Sequence, residues 1–63
     1  MQYKIKEIRK KKRISQSELA ELAGVSKGII VRLEGDEEHD TQVSTLTKIA
    51  KALGVSVRSL FIP

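Results

Sequence analysis

The chain has no cysteine, a single histidine (His39), a single proline (Pro63) and only two aromatic side chains, Tyr3 and Phe61. Without cysteine there is neither a disulfide staple nor a thiolate-ligated zinc, and one histidine excludes a multi-histidine metal cluster within one chain. Two aromatics are too few for a row of stacking platforms of the kind that holds single-stranded nucleic acid. No apolar run approaches the ~20 residues of a membrane span, and the N-terminus lacks the apolar core of a signal peptide. Glycine-rich phosphate cradles are missing too. The serines serve as helix caps, and one histidine among carboxylates makes no nucleophile–base–orienter set. An enzyme is therefore not expected, and no cofactor or metal is implied.

What remains is short and charged. Sixty-three residues make one domain at most, near the lower size limit for folding without cross-links, and the initiating Met1 suggests a complete small cytoplasmic protein. The net charge of +4 suits a polyanionic partner. Its distribution is more telling: residues 1–14 carry +6, residues 15–33 balance, residues 34–40 carry −5 and residues 41–63 add +3. The run Arg9-Lys10-Lys11-Lys12-Arg13 suits either a phosphate clamp or a solvated face. The cluster Asp36-Glu37-Glu38-His39-Asp40 lacks the spacing and internal glycine of a calcium loop and is expected to be a solvated loop.

Apolar residues recur three and four apart, which predicts helices and no strand. Ile5 and Ile8 mark a first helix. Ser15 with Glu18 forms a capping box that opens a second, whose apolar face holds Leu19, Ala20, Leu22 and Ala23. Gly24 ends it in left-handed geometry, with Val25 folding back beneath the turn. Ser26 caps a third helix, with Ile30 and Leu33 inward and Gly35 at its end. Val43, Leu46, Ile49, Ala50 and Leu53 form the stripe of a fourth; Gly54 stops it and Ser56 caps a short fifth. The three residues Ala23-Gly24-Val25 between helices two and three force a steep crossing.

This arrangement resembles the Cro/cI-type helix-turn-helix regulators, also called the xenobiotic-response-element family. The resembling residues are Ile5-Lys6-x-Ile8-Arg9, Ile14-Ser15-Gln16-x-Glu18-Leu19-Ala20, Gly24-Val25-Ser26 and Ile30-x-x-Leu33-Glu34. They continue through Leu46-x-x-Ile49-Ala50-x-x-Leu53-Gly54-Val55-Ser56 to Leu60-Phe61, covering roughly residues 4–61. The family match implies an all-α, five-helix, lambda-repressor-like domain spanning residues 1–63. It implies a small repressor that reads double-stranded DNA by laying helix 3 (about 26–34) in the major groove, nucleoid-associated when bound. Carried over by position, the DNA-binding candidates are Gln16, Ser26, Lys27, Gly28, Ile29, Val31 and Arg32. Arg32 suits a bidentate pair with guanine, Lys27 suits guanine or phosphate, and Val31 and Ile29 suit thymine methyls. Gln16 looks like a phosphate or base-edge contact, helped by the helix N-terminus it occupies.

Arg9 and Glu34, which the family pairs, are expected to form a structural ion pair between the first helix and the end of the third. A palindromic operator and a homodimer are expected, with Val57, Leu60, Phe61 and Ile62 supplying the twofold interface. The loop 36–40 is acidic where relatives carry basic residues, so it should limit affinity for duplex or else meet a protein partner. The other function class is a protein-binding adaptor or antitoxin-like module on the same fold.

Overall fold

In the computed structural model, which describes residues 3–35 and 42–61, the chain forms α1 (Ile5–Lys11), α2 (Gln16–Ala23), α3 (Lys27–Glu34), α4 (Val43–Leu53) and a one-turn 3-10 helix (Val57–Leu60). The fold is all-α, with four α-helices among the described residues and the fifth segment reduced to that 3-10 turn. The expected capping box is in place: Ser15 Oγ accepts from Glu18 N and Glu18 Oε1 accepts from Ser15 N, both at 3.0 Å. Gly24 (φ 71°, ψ 32°) ends α2 in the left-handed region, and Val25 N donates back to Ala20 O at 3.0 Å, which seals the helix end. Gly54 and Val55 repeat this at the end of α4.

Ile5, Leu19, Ala20, Ala23, Ile30, Leu33, Leu46, Ile49, Ala50, Leu53 and Leu60 make one buried core, with Val25 and Ile8 among the half-buried residues around it. α2 packs on both α3 and α4, and its small residues Ala20 and Ala23 are buried. Two core assignments change. Leu22 is 63% exposed and Val43 is 73% exposed. At 3.6 residues per turn Leu22 falls roughly 100° from the centre of the Leu19–Ala20–Ala23 face, and Val43 sits in the open first turn of α4, off the Leu46–Leu53 stripe.

The two ends of the described chain meet. Lys4 N donates to Leu60 O at 2.6 Å, Tyr3 and Phe61 form an isolated antiparallel bridge, and their rings lie 5.4 Å apart at 54°. This closure drives Leu60 into the core, where it is fully buried. Leu60 is thus a core residue, a correction to its place in the expected dimer surface. Ser56 also departs from expectation. Its side chain caps nothing and instead pairs with Ser59 Oγ at 2.9 Å. The Ser59 amide reaches the Ser56 carbonyl at 3.0 Å, much as the Ile29 amide reaches that of Ser26 at 3.1 Å, so the difference lies in the serine side chain and not in the backbone.

Candidate nucleic-acid interface

The α2–turn–α3 unit is set by its caps. Ser26 Oγ accepts from Ile29 N at 3.3 Å, which starts α3 three residues after the left-handed Gly24. Ile30 and Leu33 are buried, and this fixes the helix's rotation. Lys27, Gly28, Val31 and Arg32 are left exposed along the opposite side, Val31 at 45%. Ser26 is exposed at the helix start, while Ile29 is half-buried and packed against the core. The face therefore offers two cations, one β-branched side chain and a glycine. Among the described residues a Cβ added at Gly28 would meet only Ser26 Oγ, at 3.9 Å, so none of them requires glycine there. Its omission leaves the helix backbone open to close approach from outside.

The far end of α3 is tied to α1 and α2. Arg9 Nε donates to Glu34 Oε2 at 2.8 Å and Arg9 Nη2 to Glu34 Oε1 at 3.0 Å, a fork-on-carboxylate pair. The two side chains are 10% and 3% exposed. The third guanidinium nitrogen, Nη1, donates to Ile14 O at 2.8 Å and so holds the segment entering α2. Hydrogen bonding to Glu34 raises the Arg9 pKa further above its ordinary value; desolvation opposes this and the attraction of the carboxylate adds to it. Arg9 is thus turned inward, and the basic run contributes Lys10, Lys11, Lys12 and Arg13 to solvent. Arg13 takes φ 59°, the left-handed geometry that reverses the chain between α1 and α2.

Gln16 is half-buried at the first position of α2, and its Nε2 donates to Glu34 Oε1 at 3.1 Å. This link was not foreseen. Its signal was the phase of Gln16, three, four and seven residues before Leu19, Ala20 and Ala23, which puts it on the inward face. Of the C-terminal residues assigned to a dimer surface, Val57 and Phe61 are half-buried against the core and Leu60 is inside it. Ile62 and the acidic loop 36–40 lie outside the described residues. No group of three or more potential metal ligands occurs among the described residues.

The family pattern for helix-turn-helix proteins matches residues 5–60. The transcriptional regulator SinR of Bacillus subtilis is 40% identical over 57 residues, covering 90% of this chain and 51% of that protein. An immunity repressor of Bacillus phage phi105 is 37% identical over 57 residues, covering 90% of this chain and 39% of its own length. The chain thus spans about half or less of these relatives. Among solved structures, the restriction-modification controller protein C.AhdI from Aeromonas hydrophila superposes with a TM-score of 0.82 at 30% identity, covering 90% of this chain and 85% of that one. SinR in complex with DNA gives a TM-score of 0.81 at 40% identity, covering 87% of each. With the family pattern running through all four α-helices and the 3-10 turn, the chain belongs to the Cro/cI-type helix-turn-helix family.

Proposed function

We propose that the chain, as a single helix-turn-helix domain over residues 1–63, is a sequence-specific double-stranded-DNA-binding transcriptional regulator acting as a repressor. The observation that carries this is the exposed row Lys27, Gly28, Val31 and Arg32 on a helix whose other face is locked into the core. A helix so fixed can enter a major groove as a rigid edge, with Arg32 offered to guanine and Lys27 to guanine or phosphate. Ser26 and Ile29 flank that row on α3 itself, and Gln16 is tied to the far end of the helix through Glu34. Relatives named as transcriptional regulators and a repressor, one of them solved with DNA, support the same reading and speak for regulation rather than catalysis.

The described body measures 23 × 21 × 20 Å, less than the ~34 Å between successive half-sites. One chain thus covers one half-site, and a homodimer on a palindromic operator is the arrangement we propose, with Val57 and Phe61 as the accessible remainder of the C-terminal surface. Action in the cytoplasm fits the absence, among the described residues, of a helix long and apolar enough to cross a membrane. The adaptor reading has no observation of its own among the described residues.

Selection of bound sites from random duplex DNA tests the proposal. It should enrich a palindrome, and affinity should fall steeply with salt. Arg32→Ala should relax the preference at one base position by ~1–3 kcal/mol. A pool that stays random, bound with no dependence on salt, would sink the reading.

A further inference from the structure

The Glu34 carboxylate serves three donors: Arg9 Nε on Oε2 at 2.8 Å, and Arg9 Nη2 at 3.0 Å and Gln16 Nε2 at 3.1 Å on Oε1. The two arginine bonds account for the fold, since they meet the charge and join α1 to α3. The Gln16 bond is not required for that purpose. It does, however, determine how the amide stands at the start of α2. A carboxylate only accepts, so it tolerates the NH2 edge of the amide and repels the carbonyl edge. The amide cannot flip, and its rotamer is tethered.

We infer that Glu34 is a positioning residue for Gln16, holding the amide in one arrangement so that its second N–H meets a DNA phosphate already oriented. The inference rests on the DNA-binding reading and adds to it a link from a buried ion pair to the backbone contact. Arg9 is essential to the device. Its guanidinium cancels the charge of the carboxylate, which would otherwise repel the phosphate that Gln16 receives. The ordering of a rotamer-rich side chain, ordinarily a cost of binding, is met here in the folded free chain, which corresponds to roughly three- to ten-fold in affinity.

Two measurements on the full chain test this. The first is the side-chain amide order parameter of Gln16 in the free protein, with Gln42 as internal reference. Gln42 is exposed, and the bond it makes, from Ser44 Oγ, is 3.4 Å long. Gln16 should approach the rigid-backbone value of about 0.85 and Gln42 should fall below about 0.6. Equal mobility of the two overturns the proposal. The second measurement replaces the ion pair by apolar side chains, Arg9→Met with Glu34→Leu, an exchange that buried pairs often tolerate without loss of stability.

The apolar variant, compared at matched folded fraction, should bind duplex roughly three- to ten-fold more weakly, with an unchanged salt slope because a neutral amide releases no counterion. Gln16→Ala should weaken the parent chain, and weaken the apolar variant by roughly three- to ten-fold less, since that variant has already lost the pre-ordering. Independent, additive losses overturn the proposal, and if the apolar variant does not fold the order parameters decide alone. An ordered Gln16 in a parent chain that binds no duplex overturns instead the DNA-binding reading, and the phosphate role with it.

Discussion

The chain contains Gly-Val-Ser twice, at 24–26 and at 54–56, and folds it alike both times. Gly24 and Gly54 take φ 71° and 72°, Val25 and Val55 each donate 3.0 Å bonds to the carbonyls of Ala20 and Ala50, and Ser26 and Ser56 are both extended. Beyond the serine the two regions part. The first leads into eight residues of α-helix that keep Lys27, Gly28, Val31 and Arg32 exposed and end on the Glu34 ion pair. The second leads into one 3-10 turn that ends with Leu60 in the core. An identical turn therefore sets only how the chain leaves a helix. The residue at the far end decides whether the next element presents a surface or plugs one.

The largest effect expected comes from cutting the charged anchor. Glu34→Gln leaves the Arg9 guanidinium buried against a neutral amide, and stranding one member of a buried pair costs ~3–5 kcal/mol. A chain of this size has a total stability of only ~3–9 kcal/mol. Urea unfolding followed by circular dichroism should thus show a midpoint lowered by about a third at the least, and brought to zero denaturant if the parent stability lies at the low end of that range. An unchanged midpoint would remove the anchor from the comparison.

The apolar anchor comes next. Leu60→Ala empties a fully buried site and should cost ~2–5 kcal/mol, whereas Val31→Ala on the exposed side of α3 should stay within ~0.5 kcal/mol. If the two substitutions shift the urea midpoint equally, the assignment of plug and surface is wrong.

These anchors differ in how visible they were beforehand. Arg9 and Glu34 could be paired because a family resemblance brought together residues 25 positions apart. Glycines and caps were legible for a local reason: Ser15, Glu18 and Gly24 act within one turn of themselves. Leu60 was misplaced because its burial depends on the chain ends meeting, through Lys4 N on Leu60 O and Tyr3 beside Phe61, and no local pattern carries that information. Leu22 and Val43 failed for a different reason. In helices of eight and eleven residues a spacing of three is shared by the core face and its flank, so periodicity alone does not separate them. Among the interface candidates, Lys27, Val31 and Arg32 are exposed, while the tie from Gln16 to Glu34 spans 18 residues and had no signal beyond the phase of Gln16.

The two glycines should behave as equals. Among the described residues an added Cβ at either position meets nothing within 4 Å, which leaves the left-handed backbone to oppose Gly24→Ala and Gly54→Ala. That geometry costs an L-residue ~1–2 kcal/mol, offset in part by the lower entropy of the unfolded alanine chain. Both variants should lose about 1 kcal/mol and agree within a few tenths. A clear inequality in thermal unfolding would mean that the turns are alike in dihedral angle only.

The serines should separate where the glycines do not. Ser26 Oγ satisfies the Ile29 amide, one of the donors at the start of α3 that has no partner within the helix. Ser26→Ala removes that acceptor and should cost about 1 kcal/mol, while Ser26→Gly, which lets water reach the same amide, should cost only a few tenths. Ser56 accepts no amide, and its exposed bond to Ser59 Oγ is exchanged readily for water. Ser56→Ala and Ser56→Gly should therefore both lie within a few tenths of a kcal/mol of the parent chain. The expected order in urea midpoint is Ser26→Ala lowest, with the other three close to the parent. A cost at Ser56→Ala matching that at Ser26→Ala would show that the 3-10 turn depends on its serine as α3 does, and the contrast between the two regions would then lie in Glu34 and Leu60 alone.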